Sequence, residues 1–175
     1  MTFLNSRNVA AIALCGSVWA VVNAYTGPIF WSATQLPFLC DILGFMFLIL
    51  VAWWTRSFGA VSLTGVVATL INFAVGGNVF FLGFTVASVV FDLLSRGAGY
   101  SNLFSKPYAG GALTMVLAAA SASVAGFING LFFMSMSVQT AILIFAGLHS
   151  VGGVAGGIIG VSLVGALKTR RVLPA

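Results

Sequence analysis

Few side chains in this sequence are equipped for charge-based chemistry: two acids, Asp41 and Asp92, and one histidine, His149. Asp41 stands near the start of LPFLCDILGFMFLILVAWW, a run that otherwise reads as hydrocarbon. A carboxylate there is either a solvated helix-end acid, favoured by the helix dipole, or a ligand for a substrate cation. His149 sits among small residues, as a packing and hydrogen-bonding group or as part of a site. Asp92 lies four residues before Arg96, the spacing of a helical ion pair. Two acids and one histidine are too few for most metal or hydrolytic centres, and no G-x-x-x-x-G-K-[ST], H-E-x-x-H or C-x-x-C is present. The expectation is therefore binding without catalysis: no enzyme, no cofactor and no metal.

The elements that position these groups follow from composition. The chain has 175 residues, of which 61% are hydrophobic and 5% charged, whereas a soluble domain carries roughly a quarter charged residues. Continuous apolar runs of about 20 residues mark membrane-spanning helices rather than barrel strands. The reading is an all-α, polytopic membrane protein, one domain over residues 1–175. Its six spans fall near 8–25, 37–54, 59–76, 78–95, 107–135 and 139–167, the first retained rather than cleaved. Gly27-Pro28 is expected to end the first span, Gly76-Gly77-Asn78 to turn between the third and fourth, and RGAGYSNLFSKP (96–107) to form a polar loop.

With six spans, all seven basic residues (Arg7, Arg56, Arg96, Lys106, Lys168, Arg170 and Arg171) fall on one side. The positive-inside rule makes that side cytoplasmic and gives an N-in/C-in topology; the membrane is expected to be the plasma membrane of a prokaryote. The net charge of +5 is thus an insertion and headgroup signal, and no nucleic-acid partner is expected. Cys15 and Cys40 lie inside apolar runs as small hydrophobes rather than a disulfide. Trp53 and Trp54 beside Arg56 read as an interfacial belt.

This orientation gives each polar residue a depth. Asn23, Asp41, Asn72, Asn78, Asn129 and Gln139 gather toward the outer face, and His149 lies roughly 15 Å below Gln139 at about 1.5 Å per residue. Polar groups in lipid cost several kcal/mol unless they face the bundle interior or a wet cavity. Asn72 and Asn129 serve either as interhelical ties or as site groups. Tyr25, Trp31 and Gln35 in the first connection, with Phe80 and Phe81 in the third, add aromatic and amide groups. The expected site is an outward-facing pocket for a small molecule, with Tyr25, Trp31, Gln35, Asp41, Asn72, Asn78, Asn129, Gln139 and His149 as substrate-binding candidates.

Two faces are built of small residues. Gly16, Ala20 and Ala24 repeat every fourth residue in GSVWAVVNA, and Gly152, Gly156 and Gly160 do so in GGVAGGIIGVSLVG, with Gly153 and Gly157 alongside. Such faces bring helix backbones together within the bundle or dock a partner membrane protein.

The whole chain resembles the substrate-binding S-components of energy-coupling factor transporters. The resemblance rests on the six spans, the Gly16/Ala20/Ala24 repeat, and RSFGAVSLTGVVATLINFAVGG (56–77) followed by DLLSR (92–96). SASVAGFINGLF, starting at Ser121, together with the third and fourth spans, is similar to the hydroxymethylpyrimidine and thiamine group. The resemblance implies capture of a vitamin or vitamin precursor from outside. It also implies partnership with a membrane T-subunit and two cytoplasmic ATPases, with Gly16, Ala20 and Ala24 as the docking face. Nickel and cobalt members begin Met-His, whereas this chain begins Met1-Thr2-Phe3, which argues against a metal substrate. Thiamine-type sites pair an acid with aromatic stacking, a role that Asp41 with Trp31 or Tyr25 is placed to fill.

Overall fold

A computed structural model of the chain describes residues 5–172, and every regular element among them is helical. The order is α1 (Ser6–Thr34), α2 (Phe38–Thr55), α3 (Ala60–Ala74), α4 (Phe81–Ala98), the short α5 (Tyr100–Ser105), α6 (Pro107–Ile128) with a π-helical turn (Asn129–Phe133), and α7 (Gln139–Thr169). Among the described residues, α1, α2, α3, α4, α6 and α7 each run between the two ends of the bundle. Five of these helices, α1, α2, α4, α6 with its π turn, and α7, are long and apolar enough to cross a membrane. The expected third span is shorter: α3 has 15 residues, about 22 Å of helix against a hydrocarbon core of about 30 Å.

Both ends of α3 are fixed by identifiable chemistry. At its start, Asp92 of α4 accepts the backbone N–H groups of Gly59 (2.9 Å) and Ser62 (3.0 Å) and the Ser62 hydroxyl (2.8 Å). These are among the donors a helix N-terminus leaves unpaired, and the negative charge suits that end of the dipole. The Tyr100 hydroxyl donates to the other carboxylate oxygen at 2.5 Å. Burial, and then the hydrogen bond it donates to Asp92, push the Tyr100 hydroxyl above the usual tyrosine range, so it remains a donor. The expected Asp92–Arg96 pairing is therefore replaced: Asp92 is wholly buried as a cap between helices, and the Arg96 guanidinium lies 4.5 Å over the Phe58 ring. At the far end of α3, Gly76 adopts φ +86°, and the Gly77 N–H reaches the Asn72 carbonyl while the Gly76 N–H reaches that of Phe73. That is a Schellman termination, and it needs glycine at the left-handed position. Asp92→Ala is expected to lower stability by about 2–4 kcal/mol, read as a thermal melt in detergent, with a smaller loss for Asp92→Asn.

Three further expectations are corrected. Gly27-Pro28 does not end the first helix, because α1 continues through Pro28 to Thr34 and its last residues wall the cavity described below. A proline inside a helix removes one backbone hydrogen bond, here to the Ala24 carbonyl, and helices packed in membranes tolerate this. The segment 96–107 is not an open loop; α4 runs to Ala98, and α5 buries Leu103 and Phe104. Trp53 is not an interfacial belt residue but one of the most deeply buried side chains.

Both small-residue faces are spent inside the bundle. A Cβ on Gly16 would stand 3.2 Å from the Thr64 carbonyl oxygen of α3, and Ala20 is fully buried. This face packs against α3, so Gly16 and Ala20 are covered and present no free docking surface. On α7, Gly152, Gly156 and Gly160 lie against α2, while Gly153 and Gly157 lie against α6. α7 is thus held between two neighbours at backbone distance, which in lipid, where apolar surface gains little from burial, is a main source of helix association.

Candidate functional site

All six basic residues that lie outside α1 lead toward one end of the bundle: the α2–α3 turn, the end of α4, the start of α6 and the end of α7. At the opposite end is a cavity of about 250 Å³. α1 contributes Asn23, Ala24, Gly27, Pro28 and Trp31, a face repeating every three to four residues. α2 contributes Cys40; the end of α3 and its turn contribute Asn72, Gly77 and Asn78; α4 contributes Phe81 and Phe84. Asn129, Met134, Phe145 and His149 complete the wall from the α6–α7 side.

His149 is the centre of this arrangement. Its ring is 2% exposed and is packed by Phe145 (centroids 4.8 Å apart) and Phe84 (5.7 Å). Its Nδ1 donates to Asp41 Oδ1 at 3.0 Å. Asp41 Oδ2, at 2.9 Å, is in ion-pair range but outside hydrogen-bonding geometry. An ionised carboxylate can only accept, so it holds the Nδ1 proton and leaves Nε2 as the free ring nitrogen. Nε2 is buried and has no partner within the protein. Gly126 makes room for the ring: a Cβ there would stand 2.6 Å from His149 Cδ2.

The amides are seated by equally specific devices. Asn72 Nδ2 donates to the Ala20 carbonyl at 3.3 Å, across the α1–α3 contact, while its Oδ1 lies against the Gly77 backbone without a hydrogen bond. Asn129 opens the π turn, where the Met134 N–H returns to the Asn129 carbonyl at 2.8 Å, and its side chain packs against Gly83 of α4. Short π segments of this kind recur at functional sites because they re-aim a side chain without ending the helix. Asn129 Oδ1 and Asn23 Oδ1 are also buried and unpartnered. Buried polar atoms without partners are uncommon, and here four of them border one cavity.

Of the expected site residues, the structure brings Trp31, Asn72, Asn78, Asn129 and His149 together at the cavity. It separates Tyr25, Gln35 and Gln139. Tyr25 is 64% exposed on the opposite face of α1; Gln35 caps α1 and bonds the Trp31 carbonyl through Nε2; Gln139 is exposed at the start of α7. Asp41 is fully buried behind His149 and does not line the cavity, so it orients the imidazole instead of meeting an occupant. Ala24 lines the cavity, in contrast to its neighbours in the small-residue repeat.

Sequence reasoning passed over Asn23, Phe84, Phe145 and Met134 as site groups. The signal for two of them was available: Phe145 lies one helical turn before His149, and Asn23, Gly27 and Trp31 share a face once α1 continues through Pro28.

Fold and site together define an all-helical, multi-pass membrane-type protein with an aromatic and amide-lined cavity at one end. Comparison with protein-family models, with curated proteins and with solved structures finds no match to the chain.

Proposed function

We propose that the chain is the substrate-capture subunit of an energy-coupling-factor-type importer in a prokaryotic plasma membrane. On this reading it spans the bilayer six times with both termini cytoplasmic, the short α3 being one of the six crossings. It holds a vitamin or precursor of the hydroxymethylpyrimidine and thiamine kind in its outward cavity. A T-subunit and two cytoplasmic ATPases then drive delivery. The observation that carries the reading is the unpartnered His149 Nε2, oriented by Asp41 and set among aromatic rings and buried amides at the end away from the basic residues. An imidazole nitrogen without a proton accepts a hydrogen bond from a ring amine, and flanking aromatics add stacking of about 0.5–1.5 kcal/mol per contact. The volume, below the usual range for drug-sized ligands, suits one ring with small substituents.

The test is ligand-induced stabilisation of the purified chain by hydroxymethylpyrimidine and by thiamine, alongside mass spectrometry of small molecules that co-purify. Saturating ligand at about 100 times its Kd is expected to add about 2.7 kcal/mol. His149→Ala should abolish the shift, Trp31→Ala should weaken it, and Tyr25→Ala should leave it intact. If neither compound binds, or if His149→Ala binds as the parent does, the reading fails. Solute accumulation in liposomes without any ATPase would instead identify a stand-alone transporter.

A further inference from the structure

The cavity under the aromatic end is not the only one. At the basic end, α5, the start of α6 and the end of α7 enclose a second space of about 180 Å³. Its floor is apolar and includes the buried Leu103, Phe104 and Val164. Two exposed lysines, Lys106 and Lys168, line it as well. The Lys168 ammonium donates to the Phe104 carbonyl, which ties the head of a flexible side chain to the edge of the cavity. An ammonium has three donors, so two remain for an anion. Arg56, in the α2–α3 turn, adds its positive charge to the surroundings of Lys168. Asp92, the acid at this end of the bundle, is occupied by Gly59, Ser62 and Tyr100.

We propose that this cavity holds the phosphate of an anionic phospholipid, with Lys106 and Lys168 on the phosphate and the apolar floor against the glycerol and upper acyl carbons. The inference is independent of the proposed function. A free phosphate shares the lysine contacts but gains nothing from Leu103, Phe104 and Val164, whereas lipid carbons remove that apolar surface from water. The position fits as well, because the cavity sits where the apolar helices give way to cationic side chains, the depth at which anionic headgroups meet basic residues.

The experiment uses the full chain in a neutral detergent, with native mass spectrometry of retained lipid. Phosphatidylglycerol and phosphatidylcholine of identical acyl chains are the two probes, and inorganic phosphate is the competitor. Phosphatidylglycerol should be retained in preference to phosphatidylcholine, and millimolar phosphate should displace little of it. Lys106→Gln with Lys168→Gln should weaken retention roughly 30-fold, about fivefold per lysine. Lys106→Arg with Lys168→Arg should keep it, which separates loss of charge from loss of fold. Arg170→Gln with Arg171→Gln, just beyond the cavity, should also keep it. Equal retention of the two lipids, or full retention in the double glutamine variant, overturns the proposal. So does an equal loss in the Arg170/Arg171 variant, which would mean diffuse surface attraction. Displacement by phosphate with no lipid preference would assign the site to a soluble phosphate and overturn the lipid assignment.

Discussion

Asp41→Ala is expected to destabilise the protein by about 3 kcal/mol, the upper end for leaving a fully buried donor without the carboxylate that accepts from it. Asp41 has no exposed surface and His149 has 2%, so no water takes over the lost contact. The damage comes from the imidazole Nδ1, left in an apolar wall with nothing to donate to. Replacing both residues by apolar ones of similar size, Asp41→Leu with His149→Phe, should therefore recover most of the stability, because the expensive polar groups leave together. The double variant should still fail to bind ligand. Melting curves in detergent, read beside ligand-induced shifts, separate the two effects. If the single variant is as stable as the parent, the pair is not the tie between α2 and α7 described above. If the double variant binds, the imidazole is not the group that meets the occupant.

The second large effect is steric. Gly156→Leu is expected to cost about 3 kcal/mol or more, at the upper end for overpacking. A Cβ at position 156 would lie 2.8 Å from the Ile42 carbonyl oxygen and 2.9 Å from that of Asp41, and backbone cannot rotate aside as a side chain does. A Cβ at Gly147, nine residues earlier on α7, would meet nothing within 4 Å, and the position is exposed. Gly147→Leu should therefore be neutral or slightly stabilising, since glycine is the poorer helix former by up to about 1 kcal/mol. Equal behaviour of the two variants would show that α2 and α7 are not in backbone contact at Gly156.

Much of this architecture was legible in the sequence, because the bilayer imposes a simple rule. Apolar runs of helical length declare themselves, and Asn23, Asn72, Asn78 and Asn129 mark which end carries polar groups. The partnership of Asp41 with His149 was not legible. Counting from helix starts places Asp41 three residues into α2 and His149 ten into α7, which implies different depths. Their contact shows that α7 begins about seven residues, or roughly 10 Å, beyond α2, and nothing in one sequence sets that offset. Pro28 misled for a different reason. Proline is a reliable stop in water, but in a packed apolar bundle the helix persists, and with it the rotation that turns Tyr25 outward and Trp31 inward. Asp92 had a local partner at the right spacing in Arg96, and a better-placed set of donors at the start of α3 won.

The glycine flanks of α7 carry a mechanical implication. Helices meshed by large side chains resist sliding as gear teeth do, whereas smooth surfaces offer little such resistance along the axis. Near the cavity, axial travel of α7 is opposed by two polar pins, the imidazole–carboxylate link to α2 and the Ser150 hydroxyl on the Ala119 carbonyl of α6. Those pins set how deep the imidazole is seated, and loosening either one would let the cavity floor shift while its walls stay in place.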